Sequence, residues 1–269
     1  MSRKIDRLRG FVVGTGASSG IGLELARLAA SDGCDLLLVA DRELGEGEAA
    51  AKAAGAASVE TVQADLATPD GLRRLMDAIG ERPVDALLAN AGHGLGQAFL
   101  DQDWKDIAHV IHTNVTGTTW LIHQIGQRMR ARNAGRILVT GSIAGHLPGS
   151  FQLVYNSTKS YVDYFCFGLR NELKDTDVLI TCLMPGATDT EFFHRAGMED
   201  TSVGKSSNKA DPVKVAKDGY DALLDGETHI VSGLMNKIQD AFAGIIPDTV
   251  LAQMHRKMAE PGSHRTEKA

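Results

Sequence analysis

The chain has 269 residues, 43% of them hydrophobic, and a formal net charge of −6. That mild negative balance argues against a nucleic-acid-binding surface, and no run of eighteen apolar residues is present to span a membrane. The three cysteines, Cys34, Cys166 and Cys182, share no metal-ligand spacing and sit among apolar residues. They read as reduced core thiols, and no metal site is expected.

Basic residues at Arg3, Lys4 and Arg7 have no apolar segment behind them, so no signal peptide is expected and the protein reads as cytoplasmic. From there, apolar strand-like runs alternate with helical stretches. Phe11-Val12-Val13 precedes a helix expected from about Gly20 to Asp32, and Leu36-Leu37-Leu38-Val39 precedes one from Leu44 to Ala54. Val59 to Gln63 leads to a helix over Pro69 to Ile79. Val84 to Ala89 leads to a long helix over Trp104 to Arg132, and Arg136 to Thr140 to another over Gln152 to Lys174. Val178 to Met184 is a sixth strand, and Ile230-Val231 lies in a seventh. The runs are nearly all apolar, as expected of strands covered on both faces. Strand-helix alternation implies an α/β fold with a doubly wound, mostly parallel seven-stranded sheet and helices on both faces. The polar segment Gly197 to Ala210 reads as a mobile loop, and Pro261 to Ala269 as a frayed end.

Three features carry chemistry. The first strand runs into Gly16-Ala17-Ser18-Ser19-Gly20-Ile21-Gly22 and then a helix. A glycine-rich turn at a helix N-terminus lets backbone amides approach a pyrophosphate. The second strand ends at Asp41-Arg42. An acidic residue there binds adenosine ribose hydroxyls and repels the extra phosphate of NADP, while Arg42 softens that repulsion. NAD is therefore the preferred cofactor, with NADP not excluded. Third, Tyr155 lies four residues before Lys159 and thirteen after Ser142. Residues at i and i+4 share a helix face, and an ammonium there is expected to pull the phenol pKa down from about 10 towards neutrality.

Together these residues resemble the short-chain dehydrogenase/reductase family in its single-domain, Rossmann-like form, over roughly Gly10 to Thr190. Thr15 to Gly22 resembles its cofactor turn, with Gly16, Ser18, Ser19, Gly20, Ile21 and Gly22 at the phosphates. Asp65-Leu66 resembles the pair flanking adenine, and Asn90-Ala91-Gly92 the segment that supports sheet and cofactor. Pro185-Gly186-Ala187-Thr188-Asp189-Thr190 resembles the turn holding the nicotinamide carboxamide, with Pro185, Gly186, Thr188 and Thr190 as contacts. Asn114, Ser142, Tyr155 and Lys159 match the catalytic tetrad.

The resemblance implies hydride transfer between a nicotinamide and a small-molecule secondary alcohol or ketone. Tyr155 is the general acid/base and Ser142 holds the substrate oxygen. Lys159 tunes the phenol and binds the nicotinamide ribose, and Asn114 fixes a water beside Lys159. Two other readings stand beside this one: an NADPH-dependent reductase of acyl or lipid-like ketones, and a nucleotide-sensing binding protein without turnover. His93, His146 and His194 fall under no family motif and read as solvated loop histidines. Phe192 and Phe193 serve either as a hydrophobic lid or as core.

The chain is expected to form one dinucleotide-binding and catalytic domain, 1–269, with a helical extension over 234–260. In that extension Leu234, Ile238, Ala241 and Phe242, then Val250, Leu251, Met254 and Met258, have helical spacing. Such faces need a surface to cover: the substrate cleft, a subunit contact or, least favoured, a membrane. By family analogy the protein is a homo-oligomer, a dimer through the two long helices, or a tetramer, with no nucleic-acid or membrane partner.

Overall fold

The computed structural model describes residues 4–233 and 246–266. Seven parallel strands form one sheet in the order β3-β2-β1-β4-β5-β6-β7. They are β1 (Phe11–Thr15), β2 (Asp35–Ala40), β3 (Ser58–Gln63), β4 (Val84–Ala89), β5 (Gly135–Thr140), β6 (Val178–Met184) and β7 (His229–Val231). The order reverses between β1 and β4, which opens a crevice at the strands' carboxyl ends where such sheets bind ligands.

Side chains alternate across each strand, so the sheet divides its apolar residues between two cores. Val13, Leu37, Val39, Leu87, Ile137 and Val139 enter one, and Val12, Leu36, Leu38, Ala86, Leu88 and Leu138 the other. The first is closed by α3 (Pro69–Ile79), α5 (Thr118–Ala131) and α6 (Leu153–Glu172). The second is closed by α1 (Gly20–Ser31), α2 (Gly45–Ala54) and α9 (Pro212–Asp225). The exception to coverage on both faces is β3, an edge strand of sequence SVETVQ, whose residues are all exposed or half-buried.

Three other expectations meet a different structure. The long helix over Trp104 to Arg132 is divided into α4 (Trp104–Ile111), a π-helical stretch His112–Gly117, and α5. The widened turn lies against α6, and such bulges concentrate at functional sites. The segment read as a mobile loop is packed. It follows α7 (Phe192–Arg195), contains α8 (Ser202–Lys205), buries Met198 and Thr201, and caps α8 with the Thr201 hydroxyl on the Gly204 amide at 3.0 Å. Leu234, Ile238, Ala241 and Phe242 lie outside the described residues. The later part of the extension forms α10 (Asp248–Ala259), followed by α11 (Ser263–Thr266). The Ser263 hydroxyl accepts from the Ser202 amide at 2.9 Å, so the described part of this end, residues 261–266, is docked rather than frayed. Among the described residues no helix is long and apolar enough to cross a membrane.

Candidate active site

The cleft at the carboxyl ends of β1, β4, β5 and β6 collects nearly all the residues singled out in the sequence. Its floor is the glycine turn. Gly16 and Gly20 hold positive φ angles of 65° and 56°, a region open to glycine. A Cβ on Gly22 would overlap the Gly16 carbonyl, so the turn closes tightly only with glycine there. Ser19 leaves the start of α1 without a side-chain cap, and the first turn carries no acidic residue. Unpaired amides and the positive end of the helix dipole thus face the cleft, which suits an anionic diphosphate. Gly22 itself supports the turn from behind and does not line the cleft.

Asn90 ties this floor together. Its amide donates to Thr15 Oγ1 at 2.9 Å, its side-chain nitrogen reaches the Gly16 carbonyl at 3.4 Å, and its oxygen accepts from Thr140 Oγ1 at 3.0 Å. Ala91 donates to the same Thr15 hydroxyl at 2.9 Å. Gly92 lets Asn114 and Lys159 approach: a Cβ there would meet their polar ends at 3.3 and 3.5 Å. Asp65 and Leu66 line the far wall, where Asp65 pairs with His109 at 3.3 Å.

The π-helical turn presents Asn114 to the loop after β4. Asn114 Oδ1 accepts from the His93 amide at 2.8 Å, and its Nδ2 donates to the His93 carbonyl and to Thr158 Oγ1, both at 2.9 Å. One side chain thereby fixes a loop and a helix. Along α6, Tyr155 and Lys159 lie on the same face as Asn156 and Asp163. Lys159 Nζ donates to the Thr140 carbonyl at 2.7 Å and stands 5.9 Å from the centre of the Tyr155 ring. Ser142 follows β5, accepts from the Ala144 amide at 3.1 Å and lies 3.3 Å from the Pro185 carbonyl.

The electrostatics differ from the sequence expectation at Tyr155. Burial pushes its phenol up to about 12; a hydrogen bond with Ser142 opposes the shift and the Asp163 charge adds to it. Burial lowers the Lys159 pKa, and Asp163 counteracts that. In the protein alone, desolvation therefore dominates, and the tyrosine is a neutral hydroxyl at pH 7.

Further round the cleft, the Pro185-Gly186 turn continues β6. Thr188 bonds the Gly186 carbonyl at 3.0 Å, and Thr190 Oγ1 accepts from the Phe192 amide at 3.3 Å, capping the start of α7. A Cβ on Gly20 would meet the Thr190 methyl at 2.9 Å, so this turn sits directly over the glycine turn. Phe192 places its ring 5.0 Å from that of Tyr155, while Phe193 is buried in a small cluster with Ala196, Met198 and Ala259. The pair is thus lid and core at once.

Asp41 is engaged from three sides: by Arg195 at 3.1 Å, His93 at 3.3 Å and Arg42 at 3.6 Å. Chiefly through the His93 hydrogen bond, its pKa falls to about 2 although burial opposes the change. His93 is therefore not a solvated loop residue. Arg42 lies outside the residues lining the cleft. His146 is half-buried, with its charge felt at Asp163, and only His194 is exposed as expected, 3.8 Å from Glu199.

Three contributors had no signal in the sequence. Arg195 reaches Asp41 from α7. Asp163 accepts from the Ser142 amide and from Cys182 Sγ, both at 3.3 Å, beneath Lys159. His255, on α10, lies 2.9 Å from the Ser150 carbonyl and 3.3 Å from Asn156 Nδ2, which brings α10 over the cleft beside Tyr155. The described part of the extension, α10, packs over this cleft.

A parallel sheet with a capless helix N-terminus at its switch point, joined to a clustered serine, tyrosine and lysine, defines a nucleotide-binding oxidoreductase class. Residues 11–200 match the family model described as short chain dehydrogenase, and the chain belongs to that family. It is 34% identical over 182 residues to sulfoacetaldehyde reductase 2 of Chromohalobacter salexigens, covering 66% of this chain and 72% of that one. It is 33% identical over 194 residues to galactitol 2-dehydrogenase (L-tagatose-forming) of Cereibacter sphaeroides, covering 71% and 76%. Among solved structures, a short-chain dehydrogenase from Sphingobium yanoikuyae in complex with NADPH superposes with a TM-score of 0.77 at 27% identity, over 88% of this chain and 96% of that one.

Proposed function

We propose that the protein transfers a hydride between a nicotinamide cofactor and a secondary alcohol or ketone, with Tyr155 exchanging the proton. One observation carries the reading: buried Ser142 and Lys159 flank half-buried Tyr155 at the end of the cleft whose other end is the uncapped glycine turn.

The residues present fit a dinucleotide. The amides of Ser19 to Ile21 would hold its phosphates, Asp41 an adenosine ribose, Asp65 and Leu66 the adenine, and Pro185 to Thr190 the nicotinamide end. Bound there, the nicotinamide supplies or accepts the hydride. Every other task falls to the protein. Ser142 holds the substrate oxygen and stabilises charge developing on it. Tyr155 Oη hands its proton to that oxygen in reduction and takes one from it in oxidation. Lys159 holds the cation nearby, fixed by the Thr140 carbonyl, and Asn114 locks the adjoining loop. Because the phenol is protonated at neutral pH, carbonyl reduction starts from the resting form, and alcohol oxidation is favoured by alkali.

Asp41 supports NAD. A second reading, NADP, rests on Arg195 and Arg42 flanking that carboxylate, and on the NADPH complex of the Sphingobium yanoikuyae relative. Rates with NADH and NADPH separate the two. Tyr155→Phe tests the chemistry: turnover abolished with cofactor binding retained supports an enzyme, whereas an unmutated protein that binds cofactor and turns over nothing in a broad carbonyl panel is a sensor. A dimer through α4, α5 and α6 accords with exposed Trp104 and Tyr164 on those helices and is tested by light scattering.

A further inference from the structure

We propose that the substrate of this site is a neutral, apolar ketone or alcohol, its carbonyl carbon bearing hydrocarbon rather than charged or polyhydroxylated groups. This rests on the oxidoreductase reading above. Around Tyr155 the cleft is walled by Ile143, Leu147, Phe192, Phe193, Val203 and Met258. Ser142 and Tyr155 face the oxygen that reacts, so the remaining polar groups decide what else is tolerated. Of the polar side chains on this wall, Gln152 offers one neutral amide, and the capacity of His255 is already used. Asn156 Nδ2 is a donor, so His255 Nε2 accepts from it, and Nδ1 donates to the Ser150 carbonyl. Burial lowers the pKa of this imidazole, which is thus neutral at pH 7.

Charge leads to the same conclusion. Among the described residues the cations lining the cleft are Lys159 and Arg195. The first donates to the Thr140 carbonyl beneath the tyrosine, and the second is held by Asp41. An anionic substituent pressed against Phe192 and Met258 would lose its hydration without gaining a cationic partner among the described residues. A polyol would bring more hydroxyls than the single Gln152 amide could satisfy. The wall also explains why relatives with sulfonated or polyol substrates are a poor guide. Val203, His255 and Met258 lie beyond residue 200, where the family match ends.

The test is a matched pair: 2-octanone and 7-oxooctanoate, which share a methyl ketone and chain length and differ in a terminal methyl against a carboxylate. With saturating reduced cofactor, kcat/KM for 2-octanone should exceed that for 7-oxooctanoate by at least about 100-fold, and Met258→Lys should reduce that ratio by about 10-fold or more. A ratio near one, or in favour of the carboxylate, overturns the proposal. If neither compound is reduced, the oxidoreductase reading is at fault, and calorimetric titration of both into the cofactor complex (or into the protein alone, should neither cofactor bind) still decides the pocket. Tighter binding of 2-octanone upholds it, and equal or tighter binding of 7-oxooctanoate refutes it.

Discussion

Arg195 and Asp41, 154 positions apart, meet at 3.1 Å across the mouth of the cleft. The contact joins the helix over the substrate end to the strand end proposed to read the adenosine ribose. A fixed carboxylate facing a phosphate dianion is repulsive, and its removal leaves Arg195 and Arg42 to attract one. Asp41→Ala should therefore raise the ratio of kcat/KM with NADPH to that with NADH by at least about 10-fold. An unchanged ratio would show that cofactor choice lies elsewhere.

The same pair sets a pH dependence. The Asp41 pKa falls from 3.8 to about 2 in the folded protein. Its contribution to stability is thus complete above about pH 4 and disappears as pH falls through 2. The nominal shift corresponds to roughly 2 kcal/mol, and partial exposure reduces Arg195's share to about 1 kcal/mol. Arg195→Met should cost that amount in denaturant unfolding at pH 7, with the difference from the parent narrowing below pH 4.

Asp163 has the opposite sign. Burial raises its pKa from 3.8 to about 6, with Cys182, Lys159, His146 and the Ser142 amide opposing the shift. The folded state holds this proton more tightly than the unfolded chain, so stability is greatest below about pH 4 and is lost as pH rises to about 6, by about 3 kcal/mol. Relative to the parent, the melting temperature of Asp163→Asn should rise between pH 4 and 6 and level off above. Because Gly141 and Gly145 would each collide with this carboxylate if they carried a Cβ, the Ser142 loop is shaped around it. The variant should also lose activity, mainly in kcat.

His255 titrates in the other direction. Its folded pKa lies below 6.5, so the unfolded chain takes up a proton first and stability falls as pH drops below about 6.5. His255→Gln, which keeps a donor and an acceptor, should lessen that loss in thermal melts between pH 5 and 6.5. His255→Ala should cost about 2 kcal/mol at pH 7.5, because the Ser150 carbonyl and the Asn156 amide lose their partner.

Two glycine substitutions separate folding from binding. Gly22→Ala overlaps the Gly16 carbonyl and should weaken nucleotide binding by at least about 10-fold in fluorescence titration. Gly126→Ala, in α5 with open space around it, should leave binding unchanged and add up to about 1 kcal/mol of stability.

The order of strands and helices was legible because each run of apolar residues is local, and its period follows from backbone geometry alone. The glycine turn and the Ser142, Tyr155 and Lys159 set were legible for a related reason: fixed spacings on rigid elements bring them to one end of the sheet. The edge position of β3 was open to inference from Glu60 and Gln63, which break its apolar run. What the chain order left open was set by contacts between distant segments. The tyrosine's acidity is decided by how completely it is buried, a property of everything packed above it and not of the lysine one turn away. His93, Arg195 and Asp41 carry no shared motif, because a loop, a short helix and a strand end from distant parts of the chain bring them together. The α10 helix reads as amphipathic from its sequence, but the surface it covers exists only once the cleft has formed. Local chemistry thus specified the proposed reaction centre, and long-range packing determined its charge states and its walls.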